Sequence, residues 1–450
     1  LEDLVGSIYK IHPALPWYLR QQLDKMGSQE VISTLEKKLL VFYAMLADNF
    51  RQEMIGNAEL ASFVLRVEEP NLLQHLRLAE KQEEWAQAQA ILQALGKVYQ
   101  RLGRKPEFKS LRERALNQIG IHLAQAKAKG QDAFDFWRYL RVVDANEALE
   151  SADLETARAV YQENLDELIA LNDSSVNGNI AVVYHQLGRV AQEQRRFDDA
   201  IAFYNKALQI REDLGDFHSA ASVYHQLGNV AEEQRRFDDA IAFYNKALQI
   251  REDLGDAYMA AGDYHQLGIV AQEQRQFDDA IAFYNKALQI KEDLGDFHSA
   301  ASVYHQLGIV AQLQRRFDDA IAFYNKALQI KEDLGDFHSA ATVYHQLGRV
   351  AQEQRRFEEA IAYFQKAFEA RSAANDWRKA SSTLTAWGRT LEAQFNWTEA
   401  AKIYLRALAI DNEHNQEWVG SDIADLGRML KQLGDSQFKI IWREFTGDEC

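Results

Sequence analysis

The sequence is poor in cysteine, proline and long apolar runs, and each shortage excludes a class of protein. Its 450 residues include one cysteine, Cys450, so an internal disulfide framework and a cysteine-based zinc site are excluded. No run of 18 apolar residues is present, which argues against a membrane-spanning helix and a membrane partner. No proline follows Pro106, and proline is the residue that interrupts helices. These shortages predict an all-α protein of a reducing compartment, and we expect it in the cytoplasm.

Positive charge and catalytic motifs are also scarce. Lys and Arg number 51 against 67 Asp and Glu, a formal net charge of −16, so the chain lacks the basic surface that nucleic acids require. It contains no phosphate-binding loop, no HExxH motif and no glycine-rich turn between a strand and a helix. We therefore expect no catalytic residues, no cofactor and no nucleic-acid partner.

What the sequence does contain is a repeat of 40 residues. The string Tyr-His-Gln-Leu-Gly begins at Tyr184, Tyr224, Tyr264, Tyr304 and Tyr344. Residues 217–256 and 297–336 match at 36 of 40 positions, which only duplication explains. The period divides the middle of the chain into six units: 177–216, 217–256, 257–296, 297–336, 337–376 and 377–416. We call them repeats 1 to 6.

Each repeat is predicted to form two helices, A and B. In repeat 2, Asp216 is positioned to cap a helix A from about His218 to Arg235. After a short turn, Asp238 and Asp239 fall in the first turn of helix B, where the helix dipole favours negative charge. Gly255 then ends helix B. The small residues Gly228 and Ala240 are expected where helices A and B cross.

These positions resemble the tetratricopeptide repeat (TPR). Repeat 1 matches the family pattern at Tyr184, Leu187, Gly188, Ala200, Tyr204 and Ala207. Repeat 6 matches it at Leu384, Trp387, Gly388, Trp397, Ala400, Tyr404 and Ala407. Ala191 departs from the pattern, the terminal proline is missing, and 40 residues exceed the usual length of about 34. The longer unit is similar to the repeats of kinesin light chains and of G-protein-signalling modulators.

The resemblance implies a fold and a function. The fold would be a right-handed TPR superhelix, an α-solenoid of helical hairpins. The function would be that of a scaffold that binds a protein or peptide in the concave groove of the superhelix. The resemblance names no particular partner and no oligomeric state.

The flanks are less regular. Residues 30–176 are expected to form degenerate helical hairpins, and residues 417–450 to form capping helices. Within the lead-in segment 1–29, the stretch from Ile8 to Arg20 resembles the end of the winged-helix module in NB-ARC-type signalling ATPases. That resemblance implies an alternative function, the C-terminal ligand-sensing domain of an NB-ARC/NACHT-type ATPase. The stretch is equally compatible with a proline-containing lead-in to the first helix.

Two repeated sets of polar residues could suggest chemistry. The histidines that follow the repeated tyrosines form a ladder, but equivalent helices are at least about 8–10 Å apart, too far for one metal ion to join two rungs. We therefore expect no metal site and interpret the ladder as copied groove or surface residues. Asp198 and Asp199 recur as copies at the helix B starts of repeats 1 to 4, where helix capping explains them without catalysis.

A second stripe on helix A is predicted to line the partner-binding groove. We call it the groove stripe: His185, Arg189, His225, Asn229, Glu233, His265, Ile269, Glu273, His305, Ile309, Leu313, His345, Arg349 and Glu353. Of the four differences between residues 217–256 and 297–336, three fall on this face, at positions 229/309, 232/312 and 233/313. A face adapted to a ligand would vary in this way, and so would an exposed face under neutral drift.

Repeat 3 departs most from the common pattern. Residues 257–263 read Ala-Tyr-Met-Ala-Ala-Gly-Asp, where repeat 2 has Phe-His-Ser-Ala-Ala-Ser-Val. Gly262 weakens a helix by up to about 1 kcal/mol relative to alanine. The change could open space for a bulky group of a ligand, or it could be drift.

Overall fold

The computed structural model describes residues 2–5, 8–10, 29–53, 58–120, 123–414 and 416–447. Cys450 and most of the stretch with winged-helix resemblance lie outside these ranges. The chain divides into two compact units, Leu1–Ile210 and Arg211–Cys450. We call them unit 1 and unit 2.

Unit 1 begins with a short strand pair and continues as helices. Strands β1 (Glu2–Val5) and β2 (Ile8–Lys10) pair antiparallel, and they are the one departure from an all-α fold among the described residues. The helices are α1 (Gln29–Glu53), α2 (Ala58–Val67), α3 (Glu69–Gln82), α4 (Trp85–Arg101), α5 (Lys105–Ile119), α6 (Leu123–Ala128), α7 (Gln131–Glu150), α8 (Leu154–Ala170) and α9 (Asn177–Glu193). A 3-10 helix, Ser174–Val176, precedes α9.

Helix α10 (Phe197–Asp213) crosses the boundary between the units, and paired helices follow in unit 2. They are α11 (Phe217–Glu233), α12 (Phe237–Asp253), α13 (Ala257–Glu273), α14 (Phe277–Asp293), α15 (Phe297–Leu313), α16 (Phe317–Asp333), α17 (Phe337–Glu353), α18 (Phe357–Ala373), α19 (Trp377–Ala393) and α20 (Trp397–His414). A 3-10 helix, Gln416–Trp418, leads to α21 (Val419–Leu433) and α22 (Asp435–Thr446). The predicted solenoid of helical hairpins is confirmed.

The predicted starts and ends of the helices hold, with two corrections. The Asp216 carboxylate accepts a hydrogen bond from the Ser219 amide at 3.1 Å and caps helix A, as predicted. Helix B has Arg236 at its N-cap and no side-chain cap; Asp239 instead forms an ion pair with Arg236 at 2.6 Å. The turn between helices A and B contains Arg235 in the left-handed conformation, at φ +59°. The sequence predicted a helix-ending residue of this kind only after helix B, at Gly255.

A buried tyrosine fills the space that the small residues leave between helices A and B. The Tyr244 side chain is fully buried, and a Cβ added at Gly228 would lie 2.5 Å from its Cε1. Gly228 is therefore small because it faces Tyr244 rather than Ala240. The same glycine–aromatic contact recurs in all six repeats, with Phe364 replacing tyrosine in repeat 5.

This contact leads to a first prediction. A Cβ at Gly268 would lie 2.5 Å from Cε1 of the fully buried Tyr284, so Gly268→Leu is expected to cost about 1–3 kcal/mol of unfolding free energy by overpacking. The control, Gly262→Leu, lies in the same helix with nothing within 4 Å of its added Cβ, and it should be neutral or stabilising. Urea unfolding measures the free energy of unfolding of both variants. Equal losses of stability would contradict the close contact between Gly268 and Tyr284.

No helix in the described part of the chain is long and apolar enough to cross a membrane.

Candidate binding surface

The histidines of the groove stripe lie half-buried against aromatic rings of their own repeat. The ring centroids of His265 and Tyr284 are 5.6 Å apart, and those of His305 and Tyr324 are 5.7 Å apart. His345 packs on Phe364 at 5.4 Å. The ladder was predicted to line the groove; the structure shows its rings half-buried and packed on these aromatic side chains.

Burial changes the acid–base behaviour of these rings. Desolvation lowers the pKa of His265, His305 and His345 from 6.5 to about 4 in each case. Nearby cations add to the effect: Lys291 for His265, Lys331 for His305, and Arg371 and Arg349 for His345. These three histidines are therefore neutral at physiological pH.

Polar members of the stripe join neighbouring A helices in unit 2. The Gln312 side-chain amide donates to Glu353 Oε1 at 2.6 Å, which links repeats 4 and 5. The Gln266 amide donates to Asn229 Oδ1 at 3.4 Å, which links repeats 3 and 2. The same Asn229 oxygen lies 2.7 Å from the Tyr244 hydroxyl. These bonds connect the stripe between repeats 2 and 3 and between repeats 4 and 5.

The exposed part of the stripe in unit 2 is smaller than predicted. Glu233, Glu273, Arg349 and Glu353 are exposed, and Leu313 is 53% exposed. Ile269 and Ile309 are partly buried and pack on the hydrophobic core. A partner could contact the outer side of both isoleucines, but it would meet Leu313 and the charged residues first.

Repeat 1 carries the corresponding residues in unit 1. His185 packs on Tyr204 with ring centroids 5.6 Å apart. Arg189 is exposed, and its guanidinium donates to Gln186 Oε1 at 3.1 Å.

Sequence reasoning missed a buried ion pair beneath the face of repeat 3. Asp263 is fully buried, and its Oδ1 accepts a hydrogen bond from Arg251 Nη1 at 2.6 Å. The same oxygen lies 2.7 Å from Nδ1 of His225. Asp263 replaces the valine of repeat 2, and that change from apolar to acidic at a core position was the signal in the sequence.

The unusual residues of repeat 3 surround one cavity. It measures about 360 Å³ and is lined by Tyr258, Met259 and Gly262. Arg251 and Lys291 also line it, and Arg251 Nη1 donates to the Met259 carbonyl oxygen at 3.2 Å. Tyr258 is 59% exposed, so an apolar surface stands beside a fixed guanidinium. A binding function at this cavity stays a prediction.

Metal chemistry was not expected from the sequence. Within the described ranges, no group of three or more His, Cys, Asp or Glu side chains is arranged to hold a metal ion.

Comparisons with known proteins identify the repeat. The family model of the tetratricopeptide repeat matches residues 179–253, 258–333, 299–373 and 339–413. No curated protein has a significantly similar sequence.

Several solved structures are similar to this chain. A signal-transduction ATPase with numerous domains and a tetratricopeptide repeat sensor, from Pyrococcus horikoshii, aligns at 16% identity and a TM-score of 0.54, covering 96% of this chain and 71% of that one. BtubC (BKLC) from P. vanneervenii aligns at 25% identity and a TM-score of 0.45, over 49% and 92%. Kinesin light chain-like repeats from Podosopora anserina align at 15% identity and a TM-score of 0.38, over 44% and 97%.

Proposed function

Because the chain belongs to the tetratricopeptide repeat family and is a protein-interaction scaffold, we propose that it binds a polypeptide along the helix A face of repeats 2 to 5. Stacked repeats bury a common core and leave an extended concave surface, which helix A lines in this family. The groove stripe belongs to that helix.

The carrying observation is that in repeats 1 to 4 the groove stripe of helix A varies while most of helix B does not; helix B of repeat 5 does vary, for example at Gln365. Residues 237–250 of helix B are identical to 197–210, 277–290 and 317–330, although Asn245 and its copies are exposed. On helix A, the position of Asn229 is occupied by isoleucine at Ile269 and Ile309, and that of Glu233 by Leu313. Within repeats 1 to 4, uniform drift would have changed exposed residues of both helices, so the pattern there favours adaptation of the helix A face to a ligand.

The surface supports an apolar contact flanked by charges. Leu313 with the outer edges of Ile269 and Ile309 offers apolar area at the centre of the stripe, and apolar patches mark interaction sites. Arg349 can bind a carboxylate in bidentate geometry. Glu273 and Glu353 would repel an acidic ligand, so the apolar contact is the main source of affinity.

Capture from the native host tests this function. The full chain is used as bait beside the double variant Ile269→Asp/Ile309→Asp, whose folding is checked by circular dichroism. We expect the wild-type chain to retain a polypeptide that the variant loses, because carboxylates in the contact would have to be desolvated. Retention of the same polypeptide by both baits would contradict binding at this face.

A second function is supported by the fold likeness to the Pyrococcus horikoshii ATPase, which covers 96% of this chain. In this alternative the chain is the sensor of a signalling ATPase, and the ATPase module would be encoded before Leu1. The gene upstream of Leu1 provides the test. A nucleotide-binding module there supports the sensor function, and an immediate start codon contradicts it. In either case we expect these 450 residues to hydrolyse no nucleotide.

A further inference from the structure

A second cavity, of about 270 Å³, opens on the helix A face between repeats 4 and 5. Its wall contains the amines of Lys331 and Lys379 and the imidazoles of His265 and His305. Ser302, Ser339 and Thr342 add hydroxyl groups, and no acidic residue lines it among the described residues. Gln306 also lines it, so acceptors are present, but the formal charge of the wall is positive in a chain with a net charge of −16.

Lys331 is the residue that most needs a ligand. It is 7% exposed, and among the described residues no carboxylate oxygen lies within 4.0 Å of its amine. Burial lowers its pKa, and the negative charge of Asp336 opposes this. Asp336 is engaged elsewhere, because its carboxylate accepts from the Ser339 amide at 3.0 Å. The Lys331 Nζ is not among the fully buried atoms that lack a partner, so it is accessible where the side chain lines the cavity, and a bound anion there would stabilise its charge.

The other repeats show what the missing partner would be. The residue equivalent to Lys331 is Arg251 in repeat 2, and it binds Asp263 at 2.6 Å. It is Arg371 in repeat 5, and it hydrogen-bonds to Thr383. In repeat 4 the partner position is Val343, which has no polar atom. Lys331 thus lacks the side chain that satisfies Arg251 and Arg371. Lys291 faces the equivalent Val303 and lacks it too, but Lys291 is less buried than Lys331 and does not line this cavity.

Other polar groups of the wall differ in whether they have partners. The Nε2 atoms of His265 and His305 are buried and have no hydrogen-bond partner. His338 and Lys379 both lie near Asp376, at 3.8 and 3.1 Å, so Asp376 is the only carboxylate ion-paired to these wall residues in the described part of the chain. Ile309 follows His305 by one helical turn, which puts the cavity beside the apolar centre of the groove stripe.

We propose that the cavity between repeats 4 and 5 binds a phosphoryl group carried by a side chain of the bound polypeptide. The proposal rests on the function proposed above and adds a chemical class to it. Two lysines suit a dianion better than a carboxylate, and three terminal oxygens can accept from amines, imidazoles and hydroxyls together. A carboxylate, with two oxygens, would leave several of these donors unsatisfied.

Inorganic phosphate is the probe, because it tests the cavity without the polypeptide. Phosphorus NMR titration of the full chain is expected to show saturable binding at one site, with acetate at the same concentration failing to compete. Lys331→Met should weaken binding by about tenfold or more, since one charge-assisted hydrogen bond is lost. This variant should keep its fold, because it replaces a buried unpaired charge with an apolar side chain of similar length.

Two more variants exchange the residue combinations found at Arg251 and Asp263 and at Lys331 and Val343. Val343→Asp should abolish phosphate binding by giving Lys331 the internal partner that Arg251 has. The double variant Arg251→Lys/Asp263→Val reproduces the lysine–valine combination that the chain already tolerates in repeats 4 and 5, and it should add a second phosphate site between repeats 2 and 3.

The outcomes separate this proposal from the function proposed above. Loss of binding in Lys331→Met together with a gained site in the double variant supports it. No saturable phosphate binding, unchanged binding by Lys331→Met, or equal binding of acetate overturns it. The capture experiment tests the proposed function independently. If the wild-type bait retains a polypeptide that Ile269→Asp/Ile309→Asp loses, the proposed function is supported even when phosphate does not bind.

Discussion

Acidification from pH 7 to pH 4.5 is expected to destabilise the repeats by several kcal/mol through three histidines. The folded-state pKa of His265, His305 and His345 is about 4, against 6.5 in the unfolded chain. Below pH 6.5 the unfolded state binds protons that the folded state cannot, so stability falls until the pH reaches about 4. Each histidine can contribute on the order of 3 kcal/mol over that window.

Other groups modify this dependence. Burial raises the pKa of Asp422 to about 7 and also raises that of Glu232. Both carboxyl groups act in the opposite direction, because they favour the folded state as the pH falls.

The histidine contribution is therefore isolated by substitution. Urea unfolding of His265→Gln/His305→Gln/His345→Gln should show a clearly flatter dependence on pH than the wild type between pH 7 and 4.5. His298→Gln, with a side chain 68% exposed, serves as control and should keep the wild-type slope. A triple variant that also kept the wild-type slope would show that these rings are not held neutral.

The substitution Asp263→Val is expected to cost about 3–5 kcal/mol of unfolding free energy, because it leaves Arg251 buried without its carboxylate. Arg251→Met/Asp263→Val removes both charges, and it should recover most of that loss. The recovery would show that the cost comes from the unpaired charge and not from the lost packing.

A double-mutant cycle in urea measures this coupling. The matched control is the pair Lys331→Met and Val343→Leu, at the equivalent positions of repeats 4 and 5, where no ion pair exists and the two effects should add. Additive effects of the Arg251 and Asp263 substitutions would contradict the buried pair.

The sequence predicted the parts of the fold that local rules determine. The 40-residue period, the Asp216 cap and the Gly255 terminus each follow from spacing and from residue preferences at helix ends, and the structure has them. The left-handed conformation of Arg235 was not predicted, because arginine has no preference for that conformation. The conformation belongs to the turn that ends helix A, which is closed by hydrogen bonds from the Arg235 amide to the Glu232 carbonyl at 2.7 Å and from the Arg236 amide to the Ala231 carbonyl at 2.8 Å.

The candidate surface was predicted less completely, because burial depends on neighbouring repeats. His265 shares a face with Leu313 on a helical projection, yet its ring packs on Tyr284 and Leu313 stays exposed. The pairing of Arg251 with Asp263 joins two residues that are 12 positions apart in different repeats. The change of valine to aspartate was visible in the sequence, but only the structure shows which cation it meets.

The affinity of a captured polypeptide for two leucine variants tests the central claim, binding at the helix A face, most directly. Leu313→Asp alters the groove stripe, and Leu294→Asp alters a loop leucine of nearly equal exposure, 51% against 53%. We predict that Leu313→Asp weakens binding by about a hundredfold, since its carboxylate would be desolvated in the contact, and that Leu294→Asp binds as the wild type does. Equal affinity of the two variants, both folded, would contradict the account.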